Sequence, residues 1–201
     1  MKAFKIDGHD NEYKILKTMT KIAKDRKYVP KYDHIYYNAE KREIVATNGM
    51  VLLVWRTDIV EKEIICPKNG SIELQGNAVL LNEEETIHAD YERVEKIFRP
   101  FKSADIRFNS PSASSLSCQI IEELAPYGFY FASKQLDLLK DVLDFMETVS
   151  IPEGMSSPVK FYGGYTRVVQ GIKDENIEEH WELAFYIMPR VTEHWFFNKA
   201  E

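Results

Sequence analysis

Apolar residues follow a helical period in two segments of this chain. In Asn11–Arg26 they recur every three or four residues, so they share one face of a helix. These positions are Ile15, Leu16, Met19, Ile22 and Ala23. A second helix is predicted over residues 133–147, with Ser133 as its N-cap. Its apolar positions are Leu136, Leu139, Val142, Leu143 and Met146.

Most other apolar residues stand in short runs between turn residues, a pattern typical of strands. In the first half the predicted strands are Ala3–Ile6, His34–Tyr37, Glu43–Thr47, Val51–Arg56, Glu63–Cys66, Ile72–Leu74, Ala78–Leu81 and Thr86–Ala89. In the second half they are Ile106–Phe108, Ser117–Glu122, Gly128–Ala132, Pro158–Tyr162, Tyr165–Ile172 and Glu182–Met188. Asp90–Phe98 fits either a turn or a short helix.

Two turns between these strands carry a hairpin signal. Asn48-Gly49 predicts a type I′ turn, because both residues tolerate the positive φ that this turn requires. Gly163-Gly164 predicts a second hairpin. The last strand is expected to stop at Met188-Pro189, since proline cannot donate to a strand ladder.

The predicted elements form a repeat. The order is β-α-β-β-β, additional strands, and β-α-β-β-β again, which is an α+β architecture with helices packed on antiparallel sheets. The first half covers residues 1–100 and the second half residues 101–190. A tail, 191–201, contains Trp195-Phe196-Phe197. Exposing these aromatics is costly, so the tail is expected to fold back on the body; covering a strand edge and docking into a neighbouring copy are the alternatives.

Composition narrows the class of protein. The length of 201 residues suits one large domain or two small ones, and a formal charge of −6 argues against a generally basic nucleic-acid-binding surface. Cys66 and Cys118 lack the spacing of a metal site or disulfide, so a reduced, cytoplasmic chain is expected. No run reaches transmembrane length, and no membrane partner is expected.

Four lysines form a stripe on the first predicted helix. Lys14, Lys17, Lys21 and Lys24 have a 3-4-3 spacing that places them opposite the apolar face. Only Asp25 stands near them, four residues after Lys21. A like-charged stripe of this kind either follows a phosphate backbone or is a solvated face.

The second predicted helix has an acidic polar side, which Lys134 and Lys140 offset in part. Its aspartates are Asp137, Asp141 and Asp144. If both helices lined one channel, half of the lining would repel phosphate. Either the first helix alone faces DNA, or the fold serves protein contacts.

No residue pattern indicates catalysis. The five histidines are scattered without the spacing of metal ligands, and paired-cysteine and nucleophile motifs are absent from the sequence. We therefore expect a protein that is not an enzyme and that needs no cofactor and no metal.

Two motifs resemble a known family. Ala46–Leu52, ATNGMVL, resembles the A-T-D-G-x-x-L signature of the bacterial DNA polymerase III β subunit, the sliding clamp. Tyr186–Pro189, YIMP, is similar to the C-terminal M-P strand of that family, and His88–Val94 is similar to the segment that ends its middle domain. The chain departs from the family where Asn48 replaces the aspartate and Met50-Val51 replaces a His-Arg pair.

The resemblance implies a DNA-clamp fold and a non-enzymatic processivity or docking factor of DNA replication. Duplex DNA would be contacted without sequence preference by Lys14, Lys17, Lys21 and Lys24. Sliding clamps close a ring of similar domains, so a homo-oligomer is implied as well. The alternative is a clamp-fold protein-interaction module that no longer binds DNA.

In clamps, the two motifs also wall an apolar pocket that receives short peptides of replication and repair proteins. By resemblance, its residues here are Thr47, Gly49, Met50, Val51, Leu52, Tyr186, Ile187, Met188 and Pro189. The alternative is that these are ordinary hairpin and core-strand residues.

Overall fold

A computed structural model describes residues 1–25, 33–83, 98, 103–107, 124, 128–152, 157–170 and 176–189. The strands are β1 (Lys2–Lys5), β2 (Ile35–Asn38), β3 (Glu43–Thr47), β4 (Val51–Arg56), β5 (Gly70–Gln75), β6 (Ala78–Glu83), β7 (Ser103–Arg107), β8 (Thr148–Pro152), β9 (Val159–Gln170) and β10 (Asn176–Ile187). The helices are α1 (Asn11–Lys24), α2 (Ile59–Glu63) and α3 (Ser133–Lys140), and a 3-10 turn, Leu143–Phe145, follows α3. The predicted α+β class is confirmed.

The ten strands form one antiparallel sheet in the order β1-β6-β5-β2-β3-β4-β10-β9-β8-β7. The junction between β4 and β10 joins the two halves of the chain. Outward from this junction, each half contributes its strands in reverse chain order, β4-β3-β2 on one side and β10-β9-β8 on the other. The halves differ further out, because the β5–β6 hairpin separates β2 from β1 whereas β8 pairs directly with β7.

The main core lies between one face of the sheet and the helices α1 and α3. The apolar residues predicted for the first helix are all buried there. Burial of a side chain the size of Met19 contributes about 1.5–3 kcal/mol relative to exposure. Strand residues reach this core at every second position, as Val51, Leu53 and Trp55 of β4 do.

A smaller apolar cluster covers the other face of the sheet. It contains Leu52 and Val54 of β4, the residues that alternate with those of the main core. Its other members are Tyr36, Val45, Phe98 and Tyr186, with Ala184 and Met188 packed against them. Because both faces of the central strands are covered, β4 is apolar from Val51 to Trp55, and all five residues of β3 are buried.

The predicted strand Glu63–Cys66 is wrong. Helix α2 ends at Glu63, and Val60 and Ile64, four residues apart, are both buried. Ile65 is 89% exposed, so the Ile-Ile pair does not continue into the core as a strand. The Tyr37 hydroxyl donates a 2.7 Å hydrogen bond to Glu61 and ties α2 to β2. Burial, with this bond, raises the pKa of Tyr37 well above its usual range.

The predicted hairpin at Gly163-Gly164 is also wrong. Both glycines lie inside β9, where Gly163 pairs with Leu183 and Gly164 with Glu182. A Cβ on Gly163 would lie 2.0 Å from the carbonyl oxygen of Phe145. A glycine at this position therefore allows the 3-10 turn to approach the strand closely. A Gly-Gly pair can serve such a contact as well as a turn, and the dipeptide alone does not show which.

Three further predictions for the second half need correction. Residues Gly128–Ala132 contain no strand, and the N-cap of α3 is Ala132 rather than Ser133. The Ala132 N–H donates to Oε1 of Gln135 at 2.9 Å, so a glutamine side chain closes the helix start. Helix α3 ends at Lys140, not at residue 147, and β8 was not predicted.

Several predicted segments lie outside the described residues. They are Thr86–Ala89, His88–Val94, Ser117–Glu122 and the tail 191–201.

Replacing Gly163 by alanine is expected to lower the free energy of unfolding by about 1–3 kcal/mol, the usual range for overpacking, because the added methyl group must displace backbone. Gly8→Ala is the matched control, since its new Cβ meets only the Asn77 side chain at 3.4 Å. Urea unfolding monitored by circular dichroism measures both. Equal stability of the two variants would show that the 3-10 turn does not press on β9.

Candidate functional site

The two motifs that resemble the clamp signature lie side by side. In the β4–β10 ladder Leu52 pairs with Tyr186 and Val51 with Ile187. Beyond the strand ends, the Met188 N–H donates to the Met50 carbonyl at 2.8 Å. Segments more than a hundred residues apart in sequence are thus joined in one strand ladder.

The turn of the first motif is built on the Asn48 side chain. Its Oδ1 accepts hydrogen bonds from the N–H groups of Met50 and Val51, each at 3.0 Å. The Thr47 hydroxyl donates to the Val51 carbonyl at 2.7 Å and accepts from the Gly49 N–H at 3.1 Å. Of the two turn residues Asn48 and Gly49, Gly49 alone has a positive φ, so the predicted type I′ turn, which needs two such residues, is wrong.

Asp25 connects this turn to both long helices. Its Oδ2 accepts from Nδ2 of Asn48 at 3.1 Å, and its Oδ1 lies 2.9 Å from Nζ of Lys134 on α3. Asp25 directly follows α1, and its side chain is only 11% exposed. An aspartate in place of Asn48 would set two carboxylates against each other. The amide therefore has a physical reason to stand where the clamp signature has an acid.

The nine predicted pocket residues do not share one environment. Val51 and Ile187 face the main core and are fully buried. Leu52 and Tyr186 belong to the cluster on the opposite face of the sheet. The Thr47 hydroxyl is used within the turn. Gly49, Met50 and Met188 are half-buried at the end of the ladder, and Pro189 is buried.

Phe98 packs against Tyr186, on the face of the sheet that lies opposite the main core. Its ring meets Tyr186 edge to face, with centroids 6.3 Å apart, and it is 2% exposed. Beyond Tyr186 the same face has a cleft of about 250 Å³ that is lined by Val54 and Ala184 and by charged residues. These are Glu43, Arg56, Lys160 and Glu182. Sequence reasoning did not assign Phe98 to the site, because it ends a segment with no clear period.

The lysine stripe of α1 faces α3, and two of its lysines are paired with acids. Nζ of Lys14 lies 2.9 Å from Oδ2 of Asp144, and Lys21 pairs with Asp141. Asp25, at the end of α1, contacts Lys134, at the start of α3. Along the three contacts the residue numbers rise in one segment as they fall in the other, so α1 and α3 are antiparallel. Two of the three acids predicted to oppose the stripe, Asp141 and Asp144, are thus its partners.

Lys17 and Lys24 differ from the other two stripe lysines. Both are exposed, and among the described residues neither forms an ion pair with a carboxylate. Nζ of Lys17 lies 6.0 Å from the ring centroid of Tyr13. The paired lysines are seven residues apart whereas Asp141 and Asp144 are three apart and follow α3, so the helical spacing of the two sets did not indicate this pairing.

Within the described ranges no group of three His, Cys, Asp or Glu side chains converges as a metal site would require. In that part of the chain no helix combines the length and apolar character needed to cross a membrane.

Comparison with protein families and with curated proteins finds no match. No protein-family model matches this sequence, and no curated protein does so either. The resemblance to sliding clamps therefore rests on the sequence motifs alone.

Asn48→Asp is expected to lower the free energy of unfolding by about 1–3 kcal/mol, because it removes the donor to Asp25 and leaves two carboxylates together. Adding Asp25→Asn is expected to recover most of the loss, since the new amide donates across the same gap. Urea unfolding of the four proteins of this double-mutant cycle measures the coupling. Additive losses would show that the two side chains do not interact.

Proposed function

We propose that this chain is a clamp-like, non-enzymatic, DNA-associated protein that acts as a processivity or docking factor. The single observation that carries the proposal is the pairing of β4 with β10, which sets Leu52 against Tyr186. The same two motifs wall the peptide pocket of sliding clamps. Their meeting did not follow from either motif alone.

The arrangement of the sheet supports the clamp-like fold. The strands of the two halves run in mirrored order from the β4–β10 junction, and each half places one long helix, α1 or α3, on the same face. Two β-α-β-β-β units in one continuous sheet are what the resemblance implies. The β5–β6 hairpin is an addition to the first unit.

DNA contact would come from α1. Ammonium groups on an exposed helix face attract phosphates without reading base sequence, which gives weak, salt-sensitive binding. Lys17 and Lys24 are available for this role, and Lys14 and Lys21 become available once they leave their aspartates. The half-buried ends of the two motifs, Met50 and Met188, would meet a peptide of a replication or repair protein.

Assembly into a ring would use the ends of the sheet. Among the described strands, β1 and β7 occupy these ends. Copies added with β7 of one chain beside β1 of the next form a closed ring if the rotation between them closes. Treating the sheet as one clamp domain, a ring of clamp dimensions takes about six copies.

The second candidate is a clamp-fold protein-interaction module that no longer binds DNA. The ion pairs favour it, because they neutralise Lys14 and Lys21 within the chain. The formal charge of −6 favours it as well, since the surface as a whole repels phosphate.

Duplex-DNA binding at low salt separates the two candidates. Changing Lys17 and Lys24 to glutamate is expected to weaken binding on the order of tenfold, equally for different DNA sequences, because phosphate contacts carry no sequence information. Fluorescence anisotropy with two unrelated duplexes measures this.

Lys5→Glu combined with Lys68→Glu is the matched control, since it changes the net charge equally at exposed lysines outside α1. Equal weakening by the control would point to net charge rather than to the stripe. Failure of the wild-type chain to bind at low salt would rule out the first candidate and leave the second.

A further inference from the structure

We propose that Asp141 and Asp144 act as built-in competitors of phosphate, so that ion pairs between α1 and α3 hold back DNA binding by the lysine stripe. This inference rests on the proposed DNA-binding function and names how that same surface is regulated. It requires that the pairs be intact in the free protein and weak enough to be exchanged.

The geometry places each competitor on one stripe lysine. Asp144 lies in the 3-10 turn after α3, and its Oδ2 is 2.9 Å from Nζ of Lys14. The ring of Phe145, from the same turn, lies below that ammonium, with its centroid 5.3 Å away. Asp141 directly follows α3 and pairs with Lys21. A carboxylate offers an ammonium the same charge-assisted hydrogen bond that a phosphate oxygen does.

The pairs are exposed enough to be exchanged. The side chains of Lys14 and Asp144 are 45% and 50% exposed, and those of Lys21 and Asp141 are 49% and 34% exposed. Exposed pairs of this kind contribute little to stability, so an incoming phosphate replaces them at small cost. The Lys134–Asp25 pair is different, because Asp25 is only 11% exposed and also binds Asn48.

The aspartates set the charge of the groove between the two segments. This groove has a volume of about 570 Å³ and is lined by four lysines and three aspartates, a formal charge of only +1. Its charged residues are Lys14, Lys21, Lys134, Lys140, Asp137, Asp141 and Asp144. Neutralising Asp141 and Asp144 raises the formal charge to +3 without adding a single basic residue.

Salt dependence gives the exchange a quantitative signature. Each phosphate neutralised on duplex DNA contributes about −0.9 to the slope of log K against log salt. When a lysine leaves an aspartate for a phosphate, the freed carboxylate binds cations from solution. This uptake offsets part of the counterion release from DNA. Without the two aspartates, the slope is expected to steepen by up to about 1.8.

The test compares three single substitutions of equal charge in the full chain: Asp141→Asn, Asp144→Asn and Asp137→Asn. Asp137 lines the same groove but has no ion pair among the described residues, so it reports the effect of charge alone. The first two are expected to tighten duplex-DNA binding by about two- to fivefold each, and Asp137→Asn by less than twofold. The double variant D141N/D144N is expected to show the steeper salt slope. Circular dichroism and the urea midpoint verify that each variant is folded.

The outcomes separate this inference from the proposed function. If the wild type binds DNA and all three single variants tighten binding equally, the competitors are not specific and the inference is wrong, while the function stands. If neither the wild type nor D141N/D144N binds duplex DNA at low salt, the proposed DNA-binding function is wrong and the inference falls with it.

Discussion

The pairing of β4 with β10 is the constraint on which the rest of the structure depends. It is the junction at which the strands of both halves become one sheet, and the register of Leu52 against Tyr186 sets which residues face the helices. A one-residue slip would turn Phe185 and Ile187 away from the main core, which the buried face does not permit. The nearness of the two motifs is therefore a consequence of how the core is filled.

Electrostatics sets the relation between the two helices. Lys14 and Lys21 pair with Asp144 and Asp141 across a solvated groove, whereas Asp25 is nearly buried and tied to the Asn48 turn. The first kind of contact is exchangeable and the second is structural. One pair of helices thus combines a nearly buried contact with the Asn48 turn and two ion pairs that are partly exposed to solvent.

Sequence patterns predicted the elements whose signals are local. Helix α1 and strands β3 and β4 followed from periodicity, because a continuous apolar face or run decides them without reference to partners. Gly163 was misread, since its small size serves a tertiary contact with Phe145 rather than a turn. The predicted pocket residues Val51 and Ile187 are neighbours across the β4–β10 ladder, but this register turns both into the main core. The lysine stripe was visible, yet its partners come from the other half of the chain.

The central claim, that β4 and β10 are neighbours in this register, is tested most directly by nuclear magnetic resonance. Because the Met188 N–H donates to the Met50 carbonyl, Val51 and Ile187 form a non-hydrogen-bonded pair, in which the Cα atoms approach to about 4.5 Å. A strong Hα–Hα nuclear Overhauser effect between these two residues is the predicted result. Its absence, with a strong Hα–Hα effect from Val51 to a residue other than Ile187, would contradict the joined sheet and the meeting of the two motifs.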